Sequence, residues 1–498
     1  MILTPLWHTE FLVDIKNESD ETIRILVDTW LSDFSVWDLM ERSTKVELDE
    51  TKLETIDALY ISHSHTDHFD PYTLVKIYKH AHPLLLLPFT LSYLIPLIRE
   101  YLGDIPLEVL YPKKPYFLKW IEITPYMFSQ SEITNEDDVM MLAISNGREF
   151  LFAEIDTLPD ETDAHTQNEL YRILTRWDYD TVCYLATRNC LDGIIPLLDT
   201  LPNKRQNFIR EYKSAQKEEV HFSYEKYTYE EYDDMENIYT IPNFVRAFIG
   251  QGIAYPKELS SGLFSLQIFP LDEIASLSAD IARASGYDFP QKALLPWRQY
   301  KIENGTIETG RKECPIGLLQ TEREMWTKET EDIRIYASWP LFPRESIDIQ
   351  DAKERILDIL QNRFVPYWSA SPLQSFREAL IKNKGIYRIL CISENYGDIL
   401  FEYTLSEWKF IEKPIGDSLD IYDESYFLDD ILDFLDGKQE LYSNFWHKMD
   451  TKKSYRLWTC LGANFCNNDL VTNKYKFHFE RATRGKSEGE FFKSLSFF

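Results

Sequence analysis

The block His63-Ser-His-Thr-Asp-His68 follows directly on the apolar run Ala58-Leu-Tyr-Ile-Ser62, and this junction constrains the chain more than any other stretch. The run is short and bulky, so it predicts a buried strand that stops where the polar block begins. Three imidazoles and a carboxylate at H-x-H-x-D-H spacing, carried on a loop at a strand end, can offer two His side chains to one metal and an Asp–His pair to a second. His63, His65, Asp67 and His68 are therefore candidate metal ligands.

Strand-length apolar runs recur through the first half: Phe11–Ile15, Ile23–Val27, Ala58–Ser62, Leu84–Leu87, Trp120–Thr124, Val139–Ile144, Glu149–Ile155 and Thr181–Leu185. Between the sixth and seventh, Asn146-Gly147 is a hairpin turn signal, because both residues tolerate positive φ. A helix is expected around Val75–Lys79. From about residue 255 to 345 the pattern turns irregular and Pro-bearing, and we place a domain boundary near 310, giving a metal-binding domain with an extension over 1–310 and a C-terminal α/β domain over 311–498. In the latter, Ile349, Ala352, Ile356 and Leu360 share a helical face. Ile386–Ile392 and Asp398–Tyr403 form a hairpin about Asn395-Tyr-Gly397. A helix with Phe427, Leu428, Ile431, Leu432 and Leu435 inward stops at Gly437. This second domain contains no catalytic cluster, so shaping of the substrate site or contact with a protein-complex partner is its expected role.

At 498 residues, the chain is long enough for two domains or more. No phosphate-cradling G-x-x-x-x-G-K-[ST] or G-x-G-x-x-G occurs, which argues against nucleotide-triphosphate chemistry. A formal charge of −29 opposes binding to nucleic acid and to anionic membranes. The most apolar stretch, Pro83 to Ile98, is too short and too broken by prolines to span a bilayer. Six cysteines without a disulfide pattern and an N-terminus unlike a secretory signal fit a cytoplasmic location.

Ile25-Leu-Val-Asp-Thr-Trp-Leu-Ser32, the stretch Tyr60–Phe69 and Glu149-Phe-Leu-Phe-Ala-Glu-Ile-Asp-Thr157 together resemble the metallo-β-lactamase superfamily. Within it they look most like the CMP-N-acetylneuraminate hydroxylase-like branch, with a weaker echo in Tyr426–Gly437 and Leu441–Trp446. The resemblance implies an αββα sandwich of two sheets between helices, with Asp28 a metal-site Asp at a strand end. It implies that His63 and His65 bind one metal, that Asp67 and His68 bind the second or support a bridging water, and that Asp156 bridges the two. Asp67 would hold or deprotonate the nucleophile. One or two transition metals (iron, zinc or manganese) are the expected cofactors, and a small molecule, nucleotide-sugar-like or otherwise anionic, the expected substrate.

Two departures matter. No cysteine sits in a C-x-H or C-x-x-H pattern, so no Rieske centre is encoded and an oxygenase of this kind would need a separate electron-transfer protein. The superfamily's further histidine is also missing, since none occurs between His82 and His165. Gln130, Glu132, Asp137 or Asp138, His165 folding back, or solvent would fill its place, and an oxygen-rich shell favours iron or manganese over zinc. Three readings stay open: a dinuclear-iron oxygenase, a metal-dependent hydrolase of phosphodiesters, lactones or amides, and a non-catalytic subunit with a degenerate metal site. His80, His82, His447 and His478 are expected at surface or packing positions, His165 and His221 are weaker ligand candidates, and Arg188, Arg246 and Arg298 are expected in surface salt bridges or, less simply, against an anionic substrate.

Overall fold

A computed structural model describes residues 1–31, 34–35, 40–42, 44–127, 138–155, 172–174, 178–191, 239–240, 243–254, 271–284, 287–322, 344–369, 384–393, 395–415, 422–438, 457–462 and 467–484. The chain divides into two compact units, the first of Met1–Ser129, Val139–Glu331 and Ala482–Phe498, the second of Gln130–Asp138 and Asp332–Arg481.

In the first unit the strand-like runs pair into two large sheets. We label β1 (Ile2–Trp7), β2 (Glu10–Lys16), β3 (Thr22–Val27), β4 (Ala58–Tyr60), β5 (Leu84–Pro88), β6 (Leu107–Leu110), β7 (Tyr116–Leu118), β8 (Ile121–Tyr126), β9 (Met141–Ser145), β10 (Glu149–Ala153), β11 (Thr181–Leu191), β12 (Phe244–Ala254), β13 (Arg298–Glu303) and β14 (Thr306–Lys312). One sheet has the order β14-β13-β1-β2-β3-β4-β5-β6. The other runs β7-β8-β9-β10-β11-β12 and continues through the short strands Met40–Arg42 and Phe34–Ser35.

Period-two alternation decides how the sheets meet. Phe11, Val13, Ile15, Ile23, Ile25, Val27 and Tyr60 of the first sheet share one buried cluster with Ile121, Ile123, Leu142, Ile144, Leu151, Cys183, Leu185, Val245 and Ile249 of the second. Each such side chain contributes about 1.5–3 kcal/mol by leaving water. The intervening Leu12, Leu26, Leu59 and Leu85 point to the opposite face and are also buried, so the first sheet is covered on both sides. The second sheet's outer residues, among them Phe150, Phe152 and Tyr184, form another buried cluster. Helices α1 (Pro71–His80), α2 (Ile95–Leu102) and α3 (Leu271–Ala284) are amphipathic, and α3 buries Leu271, Ile274 and Ala275 with Ala186 and Phe248. The Asn146-Gly147 turn forms as expected: Gly147 has φ 83°, and Asn146 Oδ1 accepts from the Arg148 and Glu149 amides at 2.9 and 2.7 Å.

The stretch expected to be irregular supplies two further strands of the first sheet. β13 pairs antiparallel with β1, Ile2 opposite Lys301, and β14 pairs with β13. Its sequence Thr-Ile-Glu-Thr-Gly-Arg-Lys is almost wholly exposed, as suits an edge strand, and so lacks an apolar pattern. Pairing beyond residue 310 continues with Gly317–Glu322 against Thr44–Leu48.

The second unit holds a four-stranded sheet of Ile386–Ile392, Ile399–Thr404, Lys409–Lys413 and Glu424–Phe427, in which the first and last pair parallel. Its core gathers Ala352, Ile356, Leu360, Phe364 and Trp368 with Ile389, Phe401 and Tyr426. The helix Ile349–Ile359 is capped by Asp348, whose side chain accepts from the Gln350 and Asp351 amides. The helix Leu428–Leu435 stops at Gly437, φ 70°. No helix among the described residues is long and apolar enough to cross a membrane.

Candidate metal centre

β2 runs antiparallel to β3, Phe11 opposite Val27, while β3, β4 and β5 are mutually parallel. The start of β2 therefore lies at the same sheet edge as the ends of β3 and β4. Three loops meet there: the β1–β2 turn His8-Thr9, the residues after β3 beginning at Asp28, and the loop Ser62–Asp70 after β4.

The last of these is shaped by its two ends. Asp28 N and Ile61 N extend the ladder past the strands by donating to Tyr60 O at 2.7 Å and Leu86 O at 3.2 Å. Within the loop the His68 and Phe69 amides both donate to His65 O, at 3.0 and 2.7 Å, closing a tight turn. Asp70 then caps α1, accepting from the Tyr72 and Thr73 amides at 3.1 and 3.3 Å ahead of Pro71. Thr29 ties the loop to the neighbouring strand end: its amide and hydroxyl each donate to His68 O at 3.0 Å, and its oxygen accepts from Asp70 N at 3.0 Å.

Asp28 organises the imidazoles. It is fully buried with φ 58°, a region Asp tolerates better than most residues. Its carboxylate accepts from Ser62 N at 2.7 Å, Ser62 Oγ at 2.9 Å and His68 Nδ1 at 2.8 Å. A carboxylate only accepts, so the proton belongs on His68 Nδ1. Because Ser62 gives its hydroxyl proton to Asp28, its oxygen takes the His63 Nδ1 proton across 2.8 Å. By the same reasoning His65 Nδ1 donates to His63 Nε2 across 2.9 Å. Each Nδ1 is committed as a donor, and the basic lone pair of each ring lies on Nε2. The His63 and His68 ring centres are 3.9 Å apart and those of His63 and His65 4.5 Å.

The structure thus brings His63, His65, Asp67 and His68 into one buried or nearly buried neighbourhood. Asp67 Oδ2 is 3.9 Å from His68 Nε2. Burial works to raise the Asp67 carboxyl, but the charge of His68, a hydrogen bond from His8 and the charges of His8 and His65 hold it well below the ordinary carboxylate range. Asp156 lies outside the described residues, as do Gln130, Glu132, Asp137, His165 and His221. Asp138 is described and buried. His80 pairs with Glu50 at 3.1 Å and His82 is exposed. His478 is buried, with its ring centre 6.2 Å from that of Tyr475.

Two members of this neighbourhood escape the sequence pattern. His8, 2% exposed with φ 38°, places Nε2 3.3 Å from Asp67 Oδ2, and its ring meets that of His68 edge-on at 5.5 Å. One ligand atom from each of His8, Asp67 and His68 lies within 4.8 Å of the others, a group that can hold a metal ion. Glu10 is fully buried and neither carboxylate oxygen receives a hydrogen bond from another described residue. Burial pushes its carboxyl well above the usual range; the charge of His68 opposes this, and those of Asp28 and Asp67 add to it. The sequence signal was faint, because β1 carries Pro5 at its centre and does not read as a strand. Pro5 is tolerated where the β1–β2 register shifts.

Arg246 corrects an expectation. It is buried on β12, not in a surface salt bridge, donating to Ser278 Oγ at 3.3 Å with its guanidinium 5.2 and 5.0 Å from the Tyr184 and Phe248 ring centres.

No protein-family profile matches the chain, and no curated protein matches it in sequence. Among solved structures, it is similar to CmlA, a diiron beta-hydroxylase from Streptomyces venezuelae, at 13% identity and a TM-score of 0.32, over 59% of this chain and 52% of that one. The chain thus spans about half the length of the CmlA structure. Similarity extends to the metallo-beta-lactamase fold protein YhfI from Bacillus subtilis, at 10% identity and a TM-score of 0.31 over 62% of this chain and 99% of that one. Yeast PDE1 is similar at 10% identity and a TM-score of 0.34 over 59% and 97%. The first unit is thus a sandwich of two face-to-face sheets with flanking helices and a His-rich loop at the strand ends.

Proposed function

We propose that this chain is a metal-dependent enzyme whose reaction is dioxygen-dependent hydroxylation of a small anionic substrate, with the metal held by His63, His65, Asp67 and His68 and by Asp156, three residues beyond the end of β10. The observation that carries the metal reading is the meeting of buried His and Asp donors at one sheet edge, with ligand atoms of His8, Asp67 and His68 all within 4.8 Å. The donor set fits a transition-metal cation. Three buried acidic side chains, Glu10, Asp28 and Asp67, lie around the imidazoles and add negative charge that a bound cation would compensate.

When bound, the metal supplies Lewis acidity and, as iron, one-electron chemistry with dioxygen. The protein's own residues do the rest. Asp28 fixes the ring orientation and tautomer of His68, leaving its Nε2 as the basic atom, and Ser62 orients the His63 ring. The loops exclude water by burial. Electrons would come from a separate electron-transfer protein, because the cysteines lack Rieske spacing.

A second reading, metal-assisted hydrolysis, is favoured by Asp67, whose Oδ2 lies 3.3 Å from His8 Nε2 and 3.9 Å from His68 Nε2 and would hold an attacking water beside the metal. One paired assay separates the two. Iron-loaded, chemically reduced protein should consume dioxygen under the oxygenase reading, whereas cleavage of bis(p-nitrophenyl) phosphate under argon with no dioxygen uptake in air would replace it by the hydrolase.

A further inference from the structure

The superfamily's missing mid-chain nitrogen donor has a replacement at the other end of the domain's sequence. We infer that the β1–β2 turn supplies it: His8 Nε2 is a ligand to the metal held by Asp67 and His68, and the Glu10 carboxylate lies beside the same cation as counter-charge. This rests on the metal-enzyme reading above and adds residues that the H-x-H-x-D-H pattern does not contain.

Four observations converge. His8 is buried in an unusual positive-φ turn conformation, which the fold holds at a cost for a non-glycine residue. Its Nε2 lies 3.3 Å from Asp67 Oδ2, and its Nδ1 finds no hydrogen-bond partner among the described residues. Glu10, two residues on, is a fully buried carboxylate with no donor from another described residue. A buried carboxylate lacking donors is destabilising unless a cation compensates it. The sheet register explains the convergence: Phe11 opposite Val27 sets Glu10 beside the strand end that carries Asp28, and Tyr60 opposite Val27 on the other side delivers the His-rich loop. The hairpin and the His-rich loop are therefore parts of one site.

The test uses the full chain, stripped with chelator and titrated with Co²⁺, whose visible absorption and X-ray absorption report the number of imidazole ligands. Wild type, His8→Ala, His8→Gln and Glu10→Gln are compared, with circular dichroism establishing that each is folded. The inference expects His8→Ala and His8→Gln to lose one imidazole scatterer and to weaken Co²⁺ binding at least tenfold. Glu10→Gln should keep the imidazole count and weaken binding by a smaller factor. Unchanged affinity and imidazole count in both folded His8 variants would overturn it while leaving the metal-enzyme reading in place. Failure of the wild type to bind Co²⁺ at all would overturn both. Should His8→Ala not fold, His8→Gln, which retains a polar side chain of similar length, carries the comparison.

Discussion

Replacing Asp28 separates what holds the loops together from what prepares them for a metal. In Asp28→Ala the buried Ser62 amide loses its acceptor, which costs about 1–3 kcal/mol for an unsatisfied N–H. Loss of the charge-assisted bond to His68 Nδ1 adds about 1.5–3 kcal/mol. Holding Ala at φ 58° adds roughly 1 kcal/mol. The sum is about 4 kcal/mol or more, at the far end of single-substitution effects. Asp28→Asn behaves differently. Its amide oxygen still accepts from Ser62 N, Asn tolerates the same φ, and its NH2 can donate to His68 Nδ1 if the imidazole proton moves to Nε2. It should cost only about 1 kcal/mol, yet present a protonated Nε2 to the metal side. Urea unfolding of chelator-treated protein, compared at constant m, measures the first effect; Co²⁺ titration measures the second. A loss under about 1.5 kcal/mol for Asp28→Ala, or an Asn variant as unstable as the Ala variant, would refute this hydrogen-bond account.

Other consequences follow from the second unit. Glu424 accepts from the Tyr387 and Tyr426 hydroxyls and from Leu457 N at 3.2 and 3.1 Å, so Glu424→Leu should destabilise that unit by about 3 kcal/mol in the same unfolding assay, with Glu424→Gln losing less. Gly437 has φ 70°, and an added Cβ would come within 3.0 Å of Asn473 backbone; Gly437→Ala should cost at least about 1 kcal/mol, measured by the shift in thermal midpoint. Asp469 is held below its ordinary range, chiefly by its hydrogen bond from Arg363. Because the folded value is depressed, this contribution is complete above the unfolded carboxylate pKa and is lost as pH falls through the folded value. Asp469→Asn should therefore flatten the acid limb of the stability curve, as read from unfolding midpoints below about pH 4, by no more than about 1 kcal/mol for so exposed a pair.

Much of the sandwich was readable because its strands alternate or run apolar over five or six residues, and because a strand ending in His-Ser-His-Thr-Asp-His leaves little freedom in where the imidazoles go. The strands that were not readable failed for identifiable reasons. Ile2–Trp7 is interrupted by Pro5 and takes its outer partner from Lys301, far along the chain, a pairing no local window contains. Thr306–Lys312 is an exposed edge whose side chains need no apolar pattern. The first of these misses also hid His8 and Glu10, since a His-Thr-Glu sequence gains meaning only once a hairpin folds it against Asp28. Arg246 was misread because a lone Arg after an apolar run gives no hint that Tyr184 and Phe248 will enclose it.

The central claim, that the His-rich loop is a metal centre, is tested most directly by metal content. Protein purified without chelator should carry one or two equivalents of iron, manganese or zinc by inductively coupled plasma mass spectrometry, and His63→Ala combined with His68→Ala should lower that content to background while circular dichroism shows the fold retained. Equal metal content in wild type and in the folded double variant would contradict the account.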